Sequence, residues 1–125
     1  MTAPPGGDPF KVLERDEAGV RVIAVAGELD IATAPELCAR LDSSRAVRSP
    51  RLLVDLSDVD FCDSTGLRAL MGASTELRVG GGRLAVAVLP DSGVARLFDI
   101  TGIRESLRTF DTQAEALASV SRLAT

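Results

Sequence analysis

The 125-residue chain contains no histidine, tryptophan, tyrosine or asparagine, and Lys11 is its only lysine. Each absence removes a class of chemistry. Without imidazole there is no Ser-His-Asp or Cys-His catalysis, no HExxH zinc site and no mixed Cys/His metal site. A lysine base or Schiff base could only be Lys11, far from the other polar corners of the sequence. Catalysis by this chain is therefore not expected. With four phenylalanines as the only aromatics, the core must be built from Val, Leu, Ile and Ala.

Charge and hydropathy narrow the field further. The net charge is −4, and thirteen arginines are spread along the chain instead of forming the basic stripe that a nucleic-acid surface needs. No run approaches the roughly 18 apolar residues of a membrane span. The opening MTAPPGGDPF has neither a basic nor an apolar stretch, so no secretory signal is expected and the chain reads as cytoplasmic. Cys38 and Cys62 lack metal-ligand spacing and read as small buried hydrophobes, with a regulatory disulfide between them as the minor alternative.

What remains is a clear alternation of strand and helix signals. Residues 1–9 are rich in Pro and Gly and read as a disordered tail. FKVLER (10–15) and VRVIAVAG (20–27), separated by DEAG, predict a hairpin. Thr33 is an expected N-cap, followed by Pro35 and Glu36. A stripe of Ala34, Leu37, Cys38 and Leu41 carries a helix to near Val47. RLLVDLSD (51–58) is apolar enough for a central strand covered on both faces.

From Ser64, a stripe of Leu67, Leu70, Met71 and Leu77 predicts a helix ended by the triplet Gly80-Gly81-Gly82. That triplet follows a helix and precedes a strand, so it is a cap and turn and not a phosphate loop. RLAVAVL (83–89) is a further buried strand. Ser92 opens a short helix that Gly102 ends, SLRTF (106–110) is an outer strand, and Thr112 with Glu115 boxes a last helix. The order ββαβαβαβα predicts one α/β domain over residues 10–124. Its mixed, mostly parallel sheet has about five strands, with about four helices.

Functional groups in such sheets collect at the carboxyl ends of strands. Two corners qualify. One is Gly27-Glu28-Leu29-Asp30, and the other is FCDSTGL, residues 61–67. At the second, Asp63 or Ser64 can cap the helix. A hydroxyl in the first turn is also exposed, close to free amides that tolerate a dianion, and Gly66 is expected to keep the corner open. Ser64 is thus a candidate phosphoacceptor. It is a poor nucleophile, because a neighbouring carboxylate alone activates serine weakly. Asp55, Asp58 and Asp60 are expected to be strand-end and turn residues, not a metal-dependent phospho-acceptor cluster.

The segments GELDIATAPEL, LLVDLSDVDFCDSTGL, GGRLAVA and VARLFDITGI, in this order and spacing, resemble the anti-sigma factor antagonists, single-domain members of the STAS superfamily. The resemblance implies partner switching. An unphosphorylated antagonist binds an anti-sigma factor that is also a serine kinase of the histidine-kinase-like ATPase fold, and the sigma factor is released. That kinase, with its own ATP and Mg²⁺, then phosphorylates the serine after the motif aspartate, and a PP2C-type phosphatase reverses the step.

Carried onto this chain, the resemblance makes Ser64 the phosphoacceptor and Asp63, Thr65, Gly66 and Leu67 the residues that shape and present it. Asp30, Ile31, Thr33 and Arg68 extend the partner-binding surface, and Thr65 is a possible second acceptor. No cofactor is implied for the chain itself. Two other roles fit the same fold: an accessory subunit of a membrane transport complex, and a sensor of a nucleotide or small anion near Asp30 and Ser64.

Overall fold

The computed structural model describes residues 9–47 and 49–121. The expected tail lies almost wholly in residues 1–8, outside the described residues. Nine elements follow: β1 (Lys11–Glu17), β2 (Val20–Leu29), α1 (Ala34–Ser44), β3 (Arg51–Cys62), α2 (Ser64–Val79), β4 (Arg83–Ala87), α3 (Gly93–Thr101), β5 (Thr109–Phe110) and α4 (Gln113–Val120). This is the ββαβαβαβα order with five strands and four helices.

The strands lie side by side in chain order, β1 antiparallel to β2 and every later pair parallel. Side-chain alternation then divides the core in two. Ile23, Val25, Leu52, Val54, Leu84 and Val86 face α1, α2 and α3 in one large cluster. Val20, Val22, Leu53, Ala85 and Ala87 face α4, through Ala116 and Val120. The alanines of β4 on that side leave room for α4 to lie close. β3 is the central strand, and Leu52, Leu53 and Val54 are fully buried, as its apolar run requires.

Local signals explain most of the boundaries. Ser92 accepts the Ala95 amide (3.1 Å) and Thr112 accepts that of Glu115 (3.1 Å), so both act as N-caps. Gly102 closes α3 in the left-handed region, at φ 69°. At the end of α2, Gly82 is required by space: a Cβ there would lie 2.6 Å from the Pro50 carbonyl oxygen.

The structure differs from the expectations at several places. α1 ends at Ser44, not Val47, because Arg45 and Ala46 form tighter turns back to Asp42 and Ser43. Thr33 occupies the N-cap position without a capping hydrogen bond, its hydroxyl being turned back toward β2. β3 continues four residues past the expected end, so Asp58 and Asp60 lie within a strand and not in a turn. They flank the buried Val59, and the register shift that skips Asp60 in the pairing with β2 turns Phe61 outward and Cys62 inward. β5 is only two residues long. Finally, Met71 is 38% exposed and Ser74 takes its place on the buried stripe of α2, at 6% exposed.

Candidate functional site

Because β2 and β3 are parallel, their carboxyl ends reach the same end of the sheet, and two irregularities bring those ends together. The register between β2 and β3 shifts between Ala24 and Ala26 and again between Gly27 and Glu28, where Gly27 has φ 91°. These bulges set Leu29 opposite Cys62. The Asp63 amide then donates to the Leu29 carbonyl (3.2 Å), tying the two corners directly.

The first corner is held by its own side chains. Asp30 Oδ1 accepts the amides of Ala32 (2.9 Å) and Thr33 (3.2 Å). Thr33 Oγ1 accepts the Asp30 amide (2.9 Å) and donates to the Glu28 carbonyl (2.7 Å). Both residues are therefore used in shaping the turn. Between them Ile31 points outward, 74% exposed.

At the second corner the cap is Asp63, not a hydroxyl. Its Oδ1 accepts the amides of Thr65 (2.9 Å) and Gly66 (3.0 Å). Two of the amides expected to be free for a dianion are thus already bonded, and Asp63 leaves only the Ser64 N–H unserved in that turn. The Ser64 side chain is exposed and its hydroxyl has no hydrogen-bond partner among the described residues, whereas Thr65 is half-buried. Of the two hydroxyls, Ser64 is the one a macromolecule can reach. Arg68, one turn further along α2, is exposed and has no ion-pair partner among the described residues.

Gly66 and Leu67 serve this corner from beneath. Gly66 is buried and does not keep the corner open toward solvent as expected. A Cβ on it would lie 2.7 Å from Leu29 Cγ and 2.9 Å from the Leu29 carbonyl oxygen. Its missing side chain lets the start of α2 close against the end of β2. Leu67, 5% exposed, belongs to the core. Both residues set the position of Ser64 without reaching the surface themselves.

Cys62 lies just behind this corner. Burial pushes its thiol up to about 12, and the Asp63 carboxylate adds to the effect. Its Sγ contacts the Asp63 carbonyl at 3.5 Å. Cys38, half-buried on α1, is also raised by burial, with Asp42 and Glu76 contributing. Both cysteines are free thiols.

Sequence reasoning assigned no role to Phe61, which is 50% exposed beside Cys62 and pairs in register with Glu28. An aromatic following two exposed acids at strand spacing was the available signal. The two linked corners thus carry the exposed apolar side chains of Ile31 and Phe61 together with the carboxylates of Glu28, Asp30, Asp60 and Asp63. Among the described residues, no group of His, Cys, Asp and Glu could hold a metal ion, and no helix is long and apolar enough to cross a membrane.

Comparison with known proteins agrees with this geometry. A family model described as STAS domain matches residues 12–116. The chain is 33% identical over 106 residues to the anti-sigma-B factor antagonist of Listeria monocytogenes, covering 85% of this chain and 91% of that one. It is 32% identical over 120 residues to the anti-sigma-F factor antagonist RsfB of Mycobacterium tuberculosis, covering 96% and 94%. The crystal structure of an anti-sigma factor antagonist from Mycobacterium paratuberculosis superposes with a TM-score of 0.80 at 32% identity, over 96% of this chain and 98% of that one. With its sheet order, its paired corners and a family match over most of its length, the chain belongs to the STAS domain family.

Proposed function

We propose that this protein is an anti-sigma factor antagonist, a cytoplasmic partner switch whose state is written on Ser64. The observation that carries the reading is the Ser64 hydroxyl itself. It is exposed and, among the described residues, unbonded in the first turn of α2, immediately after a capping aspartate. The names of relatives at 32–33% identity support the choice of partner, an anti-sigma factor.

In the unphosphorylated form, the neutral serine and the exposed Ile31 and Phe61 offer a surface that an anti-sigma factor can cover. Arg68 lies at its edge. Phosphorylation adds about −1.5 to −2 charges at that spot. A dianion in a closely packed interface costs desolvation and clashes, and a loss of about 3 kcal/mol already weakens binding over a hundredfold. In this reading the partner is itself a serine kinase of the histidine-kinase-like ATPase fold and brings ATP and Mg²⁺. A PP2C-type phosphatase restores the hydroxyl. The chain is a substrate in this cycle and supplies no catalytic group.

The test is to incubate the pure protein with candidate anti-sigma kinases and ATP, and to map the product by mass spectrometry. Phosphate is expected on Ser64 alone. Ser64→Ala keeps binding and takes up no phosphate, while Ser64→Asp binds at least about a hundredfold more weakly. Equal labelling of Ser64→Ala and wild type would overturn the assignment.

A further inference from the structure

At the far end of α2 from Ser64, a cleft of about 380 Å³ opens between the end of that helix, the start of β4 and the segment leading into β5. Its wall carries three arginines, Arg78, Arg83 and Arg108, together with Ser74, Ser106 and Glu105. None of the three guanidinium groups has a hydrogen-bond or ion-pair partner among the described residues. Arg15, Arg21, Arg40, Arg45 and Arg104 pair with acids, whereas these three, like Arg68 and Arg96, keep their charge unpaired among the described residues, and only these three share one cleft. Glu105 shares the cleft yet forms no ion pair with any of them.

Ser74 supplies an independent observation. It stands on the buried stripe of α2 between Leu70 and Leu77, where an apolar residue would complete the core, and it is only 6% exposed. Its hydroxyl has no hydrogen bond among the described residues, although a helical serine can bond the carbonyl one turn back, as Ser44 does to Arg40. No buried side-chain oxygen or nitrogen is without a partner among the described residues, so this hydroxyl must reach the cleft wall. A polar group is thus held at a core position with its hydroxyl open to the cleft, to water or to a molecule that enters it.

We infer that this cleft binds a small phosphoryl anion, with Arg78, Arg83 and Arg108 as its cationic wall and Ser74 as a hydroxyl donor. Guanidinium groups present paired N–H donors that match phosphate oxygens, and several around one cleft form the usual recognition set for that group. The wall carries three positive charges and one negative, which balances a dianion. The volume lies at the small end of ligand sites, suited to a pyrophosphate or a compact phosphate ester. By helix rise Ser74 is about 15 Å along α2 from Ser64, so this site is separate from the phosphoacceptor and stands or falls independently of its role.

The test is a ¹H–¹⁵N NMR titration of the full chain at constant ionic strength, with inorganic pyrophosphate in one arm and glycerol 3-phosphate in the other. The expected result is saturable shifts at Ser74, Arg78, Gly82 and Ser106, with the tighter arm telling whether the inorganic or the esterified anion is preferred. Arg83→Gln and Arg108→Gln each weaken binding by about tenfold, the usual effect of losing a charged hydrogen bond. Glu105→Gln, which removes a like charge, tightens it, a gain that damaged folding cannot imitate. Arg96→Gln, an unpaired arginine elsewhere, changes nothing. Non-saturating shifts spread over all exposed arginines, or an Arg96→Gln loss equal to that of Arg83→Gln, would overturn the inference.

Discussion

Within α2, Gly66 and Gly72 are chemically identical and physically opposite. A glycine inside a helix ordinarily costs about 0.5–1 kcal/mol relative to alanine. At Gly72 a Cβ would meet nothing within 4 Å, so that ordinary gain is available. At Gly66 the same Cβ would strike the Leu29 carbonyl oxygen at 2.9 Å, a backbone atom fixed by its bond to the Asp63 amide. Overpacking of this kind costs about 1–3 kcal/mol and outweighs the propensity gain. Gly72→Ala is therefore expected to stabilise by about 0.5–1 kcal/mol and Gly66→Ala to destabilise by about 1–2 kcal/mol. Urea unfolding of the two variants against wild type checks the pair, and a stabilising Gly66→Ala would show that the two corners are not packed as described. The acid, the hydroxyls and the glycine of this corner were all legible in the sequence. Their division of labour was not, because it depends on Leu29, which is 37 residues from Gly66 in the chain and reaches it only through the β2–β3 register.

As an element, α2 places Ser64 and Arg68 one turn apart, both exposed and both without partners among the described residues. An acid four residues before a base is the favourable order on a helix, aligned with the macrodipole. A phosphate on Ser64 therefore meets the positive helix end and the Arg68 guanidinium, while Asp63 opposes it. The first two influences favour the dianion and lower its second pKa, which is ordinarily near 6. Arg68→Gln removes one of them, so the second pKa is expected to rise. A ³¹P NMR titration of phosphorylated wild type and variant measures this directly, and identical titration curves would mean that Arg68 does not face the phosphate. The same helix shows where periodicity stops being informative. Leu67, Leu70 and Leu77 could be read as a stripe, but both 71 and 74 continue it at helical spacing, and hydropathy favours Met71. The structure buries Ser74 instead, since the cleft at that end accepts a hydroxyl. The end of β3 was misread for a related reason: the acids Asp58 and Asp60 look like turn formers until the buried Val59 between them, and the irregular pairing of this stretch with the end of β2, are seen.

For the whole molecule, sequence segments in a fixed order were enough to expect the sheet and its family, because alternating strands and helices leave few ways to cover a parallel sheet. The lone position of α4 on the opposite face was not expected. Its only trace in the sequence is the alternation of Leu84 and Val86 with Ala85 and Ala87 along β4. In the resulting architecture, Ser64 lies on the surface at the carboxyl end of the sheet, while the core clusters lie along its two faces. A change at Ser64 can thus alter recognition without entering the core. Ser64→Asp, which sets a carboxylate at a helix N-terminus, is expected to leave stability within about 0.5 kcal/mol of wild type. Leu70→Ala, which opens a cavity under the same helix at a fully buried position, is expected to cost about 2–5 kcal/mol. With no Trp or Tyr in the chain, far-UV circular dichroism during urea unfolding is the suitable probe. If Ser64→Asp lowered stability as much as Leu70→Ala, loss of partner binding in the acidic variant would reflect a failing fold. Near-wild-type unfolding together with lost binding makes the switch a property of the surface alone.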